Sequence, residues 1–85
     1  MRNVQYKGKA HSEFMSWVNE NKKIANKIWD LIKDIDRSGV DHGIGKPEKL
    51  KYQKGWSRRI TDEHRLVYNA DEKNIYVYSC KGHYE

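Results

Sequence analysis

The most constraining feature of this sequence is one long run of apolar residues with helical spacing. The run falls at positions i, i+4, i+7, i+8 and i+11, and consists of Ile24, Ile28, Leu31, Ile32 and Ile35. In a helix these side chains form one stripe, and Lys and Asp residues lie between them. Asn21 can cap the start of this helix, and Ser38 with Gly39 can end it near Arg37. The pattern therefore predicts a helix over about 22–37 that buries one face.

Two shorter patterns precede this helix. Val4 and Tyr6, flanked by polar residues, predict a short first strand. From about Ser12, apolar residues spaced i, i+3 and i+4 predict a short amphipathic helix, and they are Phe14, Trp17 and Val18. Residues 19–21 interrupt that spacing. The first half of the chain is therefore expected to form two antiparallel helices joined by a tight turn.

The second half of the chain changes to strand-like spacing. Residues 40–47 contain the only proline and two glycines, which is typical of a loop. Short β-type runs follow at 49–52, 56–60, 65–69 and 75–80. Strands grouped after helices predict an α+β domain over residues 1–85, with the two helices packed on one face of a twisted antiparallel sheet. The other face is then left for function.

Charge and cysteine content narrow the possible function. The net charge is +5, and residues 45–65 hold seven Lys or Arg against three acidic residues. This balance is consistent with an anionic partner, although solubility alone accounts for many basic proteins. Cys80 is the only cysteine, so no internal disulfide or multi-cysteine zinc site can form, and a reducing compartment is expected. No apolar run of membrane-helix length or signal segment is seen, which predicts a cytoplasmic protein.

The basic segment also contains residues that could carry chemistry. Glu48 is either a surface partner of the neighbouring lysines or a carboxylate of a functional site. Arg58 and Arg59 are adjacent in a predicted strand, so their side chains point to opposite faces and one could meet a ligand. An arginine such as Arg65 offers a planar fork that suits phosphate oxygens. Composition alone does not decide between these interpretations.

The chain ends with a histidine and a tyrosine, His83 and Tyr84, followed by Glu85. A terminal histidine is more often a simple surface residue. No two histidines have metal-ligand spacing with a carboxylate or thiolate nearby, so no metal is expected. Glutamate, arginine and histidine can nevertheless supply the base, the cation and the acid that RNA cleavage without a metal requires.

Several ungapped blocks in one order resemble the YoeB (Txe) toxins of bacterial toxin-antitoxin pairs, within the RelE/ParE superfamily. The blocks lie at 27–35, 45–48, 56–60, 63–68 and 83–84. The resemblance implies a RelE-like fold with element order β-α-α-β-β-β(-β). It also implies an endoribonuclease toxin, or mRNA interferase, that cuts messenger RNA in the ribosomal A site and inhibits translation.

The resemblance also implies roles for individual residues. Glu48 would be the general base, His83 the general acid and Arg65 the stabiliser of the phosphorane. Tyr84 would orient the scissile phosphate or the leaving group. RNA backbone would be bound by Lys46, Lys51, Arg58 and Arg59. The products would be a 2′,3′-cyclic phosphate and a 5′-hydroxyl, formed without metal or cofactor.

The partners implied by the resemblance are the 70S ribosome with its messenger and a YefM-like antitoxin. Operator DNA would be reached only through the antitoxin complex, and homodimers occur in the family. The chain departs from the family pattern at residues 38–40, in a shorter connection from Glu48 to Trp56, and in the extra Glu85. Two alternatives are a non-catalytic or gyrase-directed toxin of the same fold, and a basic nucleic-acid-binding module.

Overall fold

A computed structural model describes residues 1–83, which form two α-helices and five β-strands in the order β-α-α-β-β-β-β. The helices are α1 (Ala10–Glu20) and α2 (Lys22–Ser38). The strands are β1 (Asn3–Tyr6), β2 (Glu48–Lys49), β3 (Trp56–Arg59), β4 (Arg65–Ala70) and β5 (Asn74–Ser79). The predicted fold class and element order are confirmed. Within this range neither helix has the length and apolar character needed to cross a membrane.

The strands form a mixed sheet in the order β1-β5-β4-β3-β2. The pairs β2–β3, β3–β4 and β4–β5 are antiparallel, as predicted, whereas β1 runs parallel to β5 with Val4 opposite Ile75. The purely antiparallel sheet predicted above is therefore corrected at this edge. A tight hairpin forces neighbouring strands to be antiparallel, but two helices separate β1 from the other strands and free its direction.

Both ends of α2 are formed as the sequence predicts. Asn21 caps the helix, because its side-chain oxygen accepts a hydrogen bond from the Ile24 N–H at 3.3 Å. At the other end Gly39 has a φ of 92°, a left-handed conformation that suits glycine. Its N–H donates to the Ile35 carbonyl at 2.9 Å and closes the last turn. Helix α1 begins earlier than predicted, at Ala10, which is completely buried.

The core lies between the helices and one face of the sheet. From α2 it takes the predicted apolar stripe, and from β4 and β5 it takes Leu66, Tyr68, Ile75 and Val77. Ile28, Leu31 and Ile32 have no exposed surface, and burying each such side chain stabilises the fold by roughly 1.5–3 kcal/mol. Because this face is covered, the side chains on the opposite face of β3 and β4 are left to form a surface.

A charged pair, Arg58 and Asp34, is buried beside this core. Arg58, on β3, points towards α2 and has no exposed surface. Its Nη1 atom donates to the Asp34 carboxylate at 2.5 Å and to the Ile44 carbonyl at 3.0 Å. Its Nε atom donates to the Tyr68 hydroxyl at 2.9 Å. A buried guanidinium needs this combination of an opposite charge and hydrogen-bond acceptors.

The loop that follows α2 folds around the same guanidinium. The Nη2 atom of Arg58 donates to the Gly39 carbonyl at 2.8 Å and to the His42 carbonyl. The Tyr68 hydroxyl in turn donates to the Val40 carbonyl at 2.5 Å. These bonds fix the path of the loop between α2 and Glu48, which is the part of the chain where the sequence departs from the family pattern.

The environment of Arg58 corrects one sequence prediction. Arg58 was predicted to bind RNA backbone, but its guanidinium is enclosed and its donors are already used by protein acceptors. The neighbouring Gly43 shows how tight the enclosure is, since a Cβ there would lie 1.8 Å from an Asp34 oxygen. Strand alternation places Arg59 on the open face, so of the two arginines only Arg59 is available to a ligand.

The hydrogen bonds that Asp34 accepts also lower the pKa of its carboxylate. Burial by itself raises this pKa, but hydrogen bonds from Arg58, Arg37 and the Ile44 N–H outweigh burial and lower it to about 2. The charged form is therefore the form that the fold stabilises.

We expect Arg58→Met to lower the free energy of unfolding by about 3–5 kcal/mol, because it leaves the Asp34 charge buried without its partner. The matched control is Arg59→Met on the same strand, which should change stability by about 0.5 kcal/mol or less. Urea denaturation followed by circular dichroism measures both. Equal stability of the two variants would contradict this account of Arg58.

Acid should weaken the fold in a defined range. Because the pKa of Asp34 falls from 3.8 to about 2 on folding, its contribution is complete above about pH 4 and is lost as the pH falls towards 2. Urea denaturation from about pH 5 to about pH 3 should show a smaller decline in Asp34→Asn than in the unchanged protein. Asp36, Asp41 and Asp71 also have lowered pKa values and remain in both proteins. Parallel curves for the two proteins would contradict the assignment.

Candidate active site

The open face of the sheet carries a polar cleft of about 250 Å³. Its walls come from β2, β3, the start of β4 and the segment after β5, and the lining residues are Glu48, Lys49, Leu50, Lys51, Ser57, Arg59, Arg65 and His83. Ser57 and Arg59 reach it because they alternate with the inward-facing Arg58 along β3. Four of the eight lining residues are Lys or Arg, so the cleft attracts anions.

Arg65 lies at the bottom of this cleft. Its side chain is 7% exposed, and its Nε atom donates to the Ser57 hydroxyl at 3.0 Å. Its Nη2 atom lies 3.4 Å from a Glu48 oxygen and has no hydrogen-bond partner among residues 1–83. Buried polar atoms are nearly always paired, so an unpaired guanidinium nitrogen that faces a cleft indicates a missing acceptor. An oxyanion is the acceptor that a guanidinium fits best.

Glu48 lies at the rim of the cleft beside this guanidinium. Strand β2 pairs Glu48 with Ser57, which places the carboxylate over the Arg65 side chain. The Glu48 side chain is 65% exposed, in contrast to the buried Asp34. It is therefore accessible to a ligand that enters the cleft from solvent, and a carboxylate in this position can accept a proton from that ligand.

His83 is the last described residue of the chain and contributes an exposed wall of the cleft. The structure therefore brings together three of the four predicted catalytic residues, Glu48, Arg65 and His83, along with two of the predicted RNA-binding residues, Lys51 and Arg59. Lys46, a third predicted RNA-binding residue, is exposed but does not line the cleft. The predicted role of Tyr84 concerns a residue outside the described part of the chain.

Sequence reasoning did not select two polar residues of the cleft, Ser57 and Lys49. Ser57 holds the Nε atom of Arg65, and Lys49 adds a further cation. The signal for Ser57 was present, because strand alternation puts it on the same side as Arg59 and opposite Arg58. Its pairing with Arg65 required the register between β3 and β4, which the sequence does not contain.

The single thiol takes no part in this cleft. Cys80 has no exposed surface, and burial together with the charge of Glu13 raises the pKa of its thiol to about 12. A thiol in this state is protonated near neutral pH and is a poor nucleophile. Cys80 is therefore a small buried side chain of the core.

The chain is therefore a small basic α+β protein, with a helix pair on one face of a mixed sheet and a cleft lined by glutamate, arginine and histidine on the other. The model of the family described as YoeB-like toxins of bacterial type II toxin-antitoxin systems matches residues 6–84. Toxin YoeB of Escherichia coli K12 is 43% identical over 74 residues, covering 85% of this chain and 87% of that toxin. Toxin RelK of Mycobacterium tuberculosis is 41% identical over 86 residues, covering 99% and 100%.

Solved structures give the same result. The YoeB dimer from Staphylococcus aureus superposes with a TM-score of 0.93 at 45% identity, covering 98% of both chains. The YoeB-YefM complex from the same organism gives 0.91 at 45% identity, covering 99% of both. YafQ from E. coli shares the fold alone, with a TM-score of 0.74 at 16% identity. The chain belongs to the YoeB family of toxins of bacterial type II toxin-antitoxin systems.

The unpaired nitrogen of Arg65 leads to a direct prediction. Titration with inorganic phosphate at constant ionic strength should produce a saturable shift of the Arg65 Nε–Hε resonance in a 15N spectrum, because phosphate bound at the free Nη2 atom changes the electronic environment of the whole guanidinium group. Arg58 is the internal control, since its guanidinium group is buried and all three of its nitrogens are already bonded to protein acceptors. Equal shifts of the two resonances, or no saturation at Arg65, would count against an oxyanion site.

Proposed function

We propose that this toxin is a ribosome-dependent endoribonuclease that cleaves messenger RNA by acid-base catalysis without a metal. The observation that carries the proposal is the grouping of Glu48, Arg65 and His83 around one cleft, with an Arg65 nitrogen that lacks a hydrogen-bond partner among residues 1–83. A base, a cation and an acid in one cleft are the groups that cleavage of a phosphodiester by its own 2′-hydroxyl needs.

The first step is attack of the ribose 2′-oxygen on the adjacent phosphorus. Glu48 accepts the proton of the 2′-hydroxyl as the new O–P bond forms. Its exposure at the rim supports this role, because the ribose can approach the carboxylate from solvent. The contact between Glu48 and Arg65 must then adjust, since the phosphate oxygen competes for the same guanidinium.

Charge builds on the phosphoryl oxygens during this attack, and Arg65 is placed to stabilise it. Its side chain is buried and its Nε atom is anchored on Ser57, so the guanidinium needs little reorganisation. Donors that are fixed in advance in a site of low water content contribute most to transition-state stabilisation. Lys51 and Arg59 lie along the same cleft and are suited to the flanking backbone phosphates.

Cleavage ends with loss of the 5′-oxygen. His83 donates a proton to this oxygen as the P–O bond breaks, which leaves a 2′,3′-cyclic phosphate and a 5′-hydroxyl. Its exposed position in the cleft wall supports this role, since the leaving strand must pass outwards. Tyr84, the next residue, is proposed to orient the phosphate or the leaving group.

Two proton-transfer groups do not supply a complete enzymatic rate. Each contributes about 10²- to 10⁴-fold, so most of the remainder must come from positioning of the RNA. We propose that the 70S ribosome provides this positioning by holding the messenger RNA in its A site, and that the reaction takes place in the cytoplasm. A second depression of about 410 Å³, which also includes Leu50, gives room on the open face for flanking nucleotides.

The proposed cellular regulator is a YefM-like antitoxin. This assignment rests on the solved YoeB-YefM complexes from S. aureus, whose toxin chains share 44–45% identity with this chain. We propose that the antitoxin covers the cleft, that operator DNA is bound only through the complex, and that the toxin forms a homodimer, as the S. aureus YoeB dimer does.

The deciding experiment maps messenger 5′ ends on programmed ribosomes. The unchanged toxin should create new 5′-hydroxyl ends in the A-site codon, whereas Glu48→Gln and His83→Ala should each reduce their rate of formation by about 10²- to 10⁴-fold. His11→Ala, which changes an exposed histidine on α1, is the matched control and should cleave normally.

The alternatives give different results in the same experiment. A nucleic-acid-binding module would bind RNA with steep salt dependence and create no new ends. A toxin directed at gyrase would arrest growth while the messenger stays intact. Undiminished cleavage by His83→Ala would refute the acid-base scheme, and rapid cleavage of naked messenger would refute dependence on the ribosome.

A further inference from the structure

The segment that precedes His83, residues 80–82, is held on one side by α1. The Trp17 indole N–H donates to the Cys80 carbonyl at 2.9 Å, and the Cys80 N–H donates to the Glu13 carboxylate at 2.8 Å. The Lys81 ammonium donates to the Ser16 hydroxyl at 3.0 Å and lies 4.8 Å from the centroid of the Trp17 ring. These contacts fix Cys80 and Lys81 but do not involve Gly82, the residue that directly precedes His83.

Gly82, which directly precedes His83, is held by His64 and Arg65 at the start of β4. The Arg65 N–H donates to the Gly82 carbonyl at 3.0 Å, and the Gly82 N–H donates to Nδ1 of His64 at 2.9 Å. The N–H of Gly82 is therefore bonded to His64, and its carbonyl is bonded to the next residue, Arg65. Gly82 has a φ of 91°, so the chain turns there in a conformation that suits glycine.

The hydrogen bond to Gly82 defines the state of the His64 ring. Since a backbone N–H donates to Nδ1, that nitrogen carries no proton and the neutral ring holds its proton on Nε2. The ring is half-buried, and its centroid lies 4.8 Å from that of Trp17 with an edge-to-face angle of 74°. Because Trp17 also binds the Cys80 carbonyl, the orientation of the ring and that of residues 80–82 are fixed together.

His64 is separate from the cleft that its neighbour lines. Alternation along β4 sends the Arg65 side chain into the cleft and the His64 side chain to the opposite side, towards α1. In the described part of the chain, the lining of the cleft includes Arg65 but not His64. Its Nδ1 atom accepts a hydrogen bond from Gly82 and so contacts the backbone that carries His83.

We propose that His64 is a positioning residue for His83, acting through the acceptor at Nδ1 that fixes the Gly82 N–H. This inference rests on the proposed function, because it takes His83 as the general acid. A displacement of about 1 Å at a catalytic group can lower a rate about 10²-fold. Loss of the acceptor should therefore slow the chemical step and leave RNA binding by Lys51, Arg59 and Arg65 nearly unchanged.

Two polar variants separate the acceptor from the bulk of the ring. In His64→Asn the amide oxygen takes the place of Nδ1, whereas in His64→Gln the amide group reaches the place of Nε2 and leaves no acceptor near Gly82. We expect His64→Gln to lower the single-turnover cleavage rate at saturating toxin about 10- to 100-fold on programmed 70S ribosomes. His64→Asn should stay within about 3-fold of the unchanged protein, and the half-saturating concentration should change little in either variant.

A second measurement follows the hydrogen bond itself. Hydrogen exchange of the Gly82 amide should remain slow in His64→Asn and become fast in His64→Gln. Equal rates of cleavage in the two variants, or equal protection of Gly82, would overturn the inference. The His83→Ala variant distinguishes a failure of the proposed ribonuclease function from a failure of the proposed role of His64. Full cleavage by His83→Ala refutes the proposed function. Full cleavage by His64→Gln with an inactive His83→Ala refutes only the role of His64.

Discussion

The structure depends most on the buried guanidinium of Arg58. This one group joins α2 through Asp34, the sheet through Tyr68, and the loop after α2 through the carbonyls of Gly39 and Ile44. Removing it would leave a carboxylate and several carbonyls buried without donors, which is far costlier than losing an equal apolar surface. The loop ends just before β2, so the same interaction also fixes where Glu48 enters the sheet.

Three arginines of the β3–β4 hairpin show how sheet geometry divides structural from functional roles. Arg58 faces the helices, and its donors are used by protein acceptors. Arg59 and Arg65 face the cleft, where Arg59 is partly exposed and Arg65 is buried with one nitrogen that has no hydrogen-bond partner among residues 1–83. The residue type is the same in each case, and the side of the strand determines the partner that the guanidinium meets.

The two ends of the cleft are held by different parts of the fold. Glu48 is held through the loop around Arg58, whereas His83 is held through residues 80–82, which bind to α1 and to the start of β4. Arg65 lies between them and takes part in both regions, since its side chain contacts Ser57 and its backbone N–H binds Gly82. The proposed base and the proposed acid are therefore held by different sets of contacts, which meet at Arg65.

The sequence by itself determined the helices and strands, the two ends of α2 and the face of α2 that is buried. Through the family blocks it also identified Glu48, Arg65 and His83 as residues of one site. It could do so because helix and strand periods are local, and because the family blocks are contiguous. Tertiary structure decided that Arg58 points inwards, that β1 runs parallel to β5, and that His64 binds Gly82. Each depends on contacts between residues far apart in the chain, such as Arg58 with Asp34, which are 24 positions apart. The period of a strand shows that successive side chains point to opposite faces of the sheet. Only the packing of the helices and the strand register determine which of these faces is the interior.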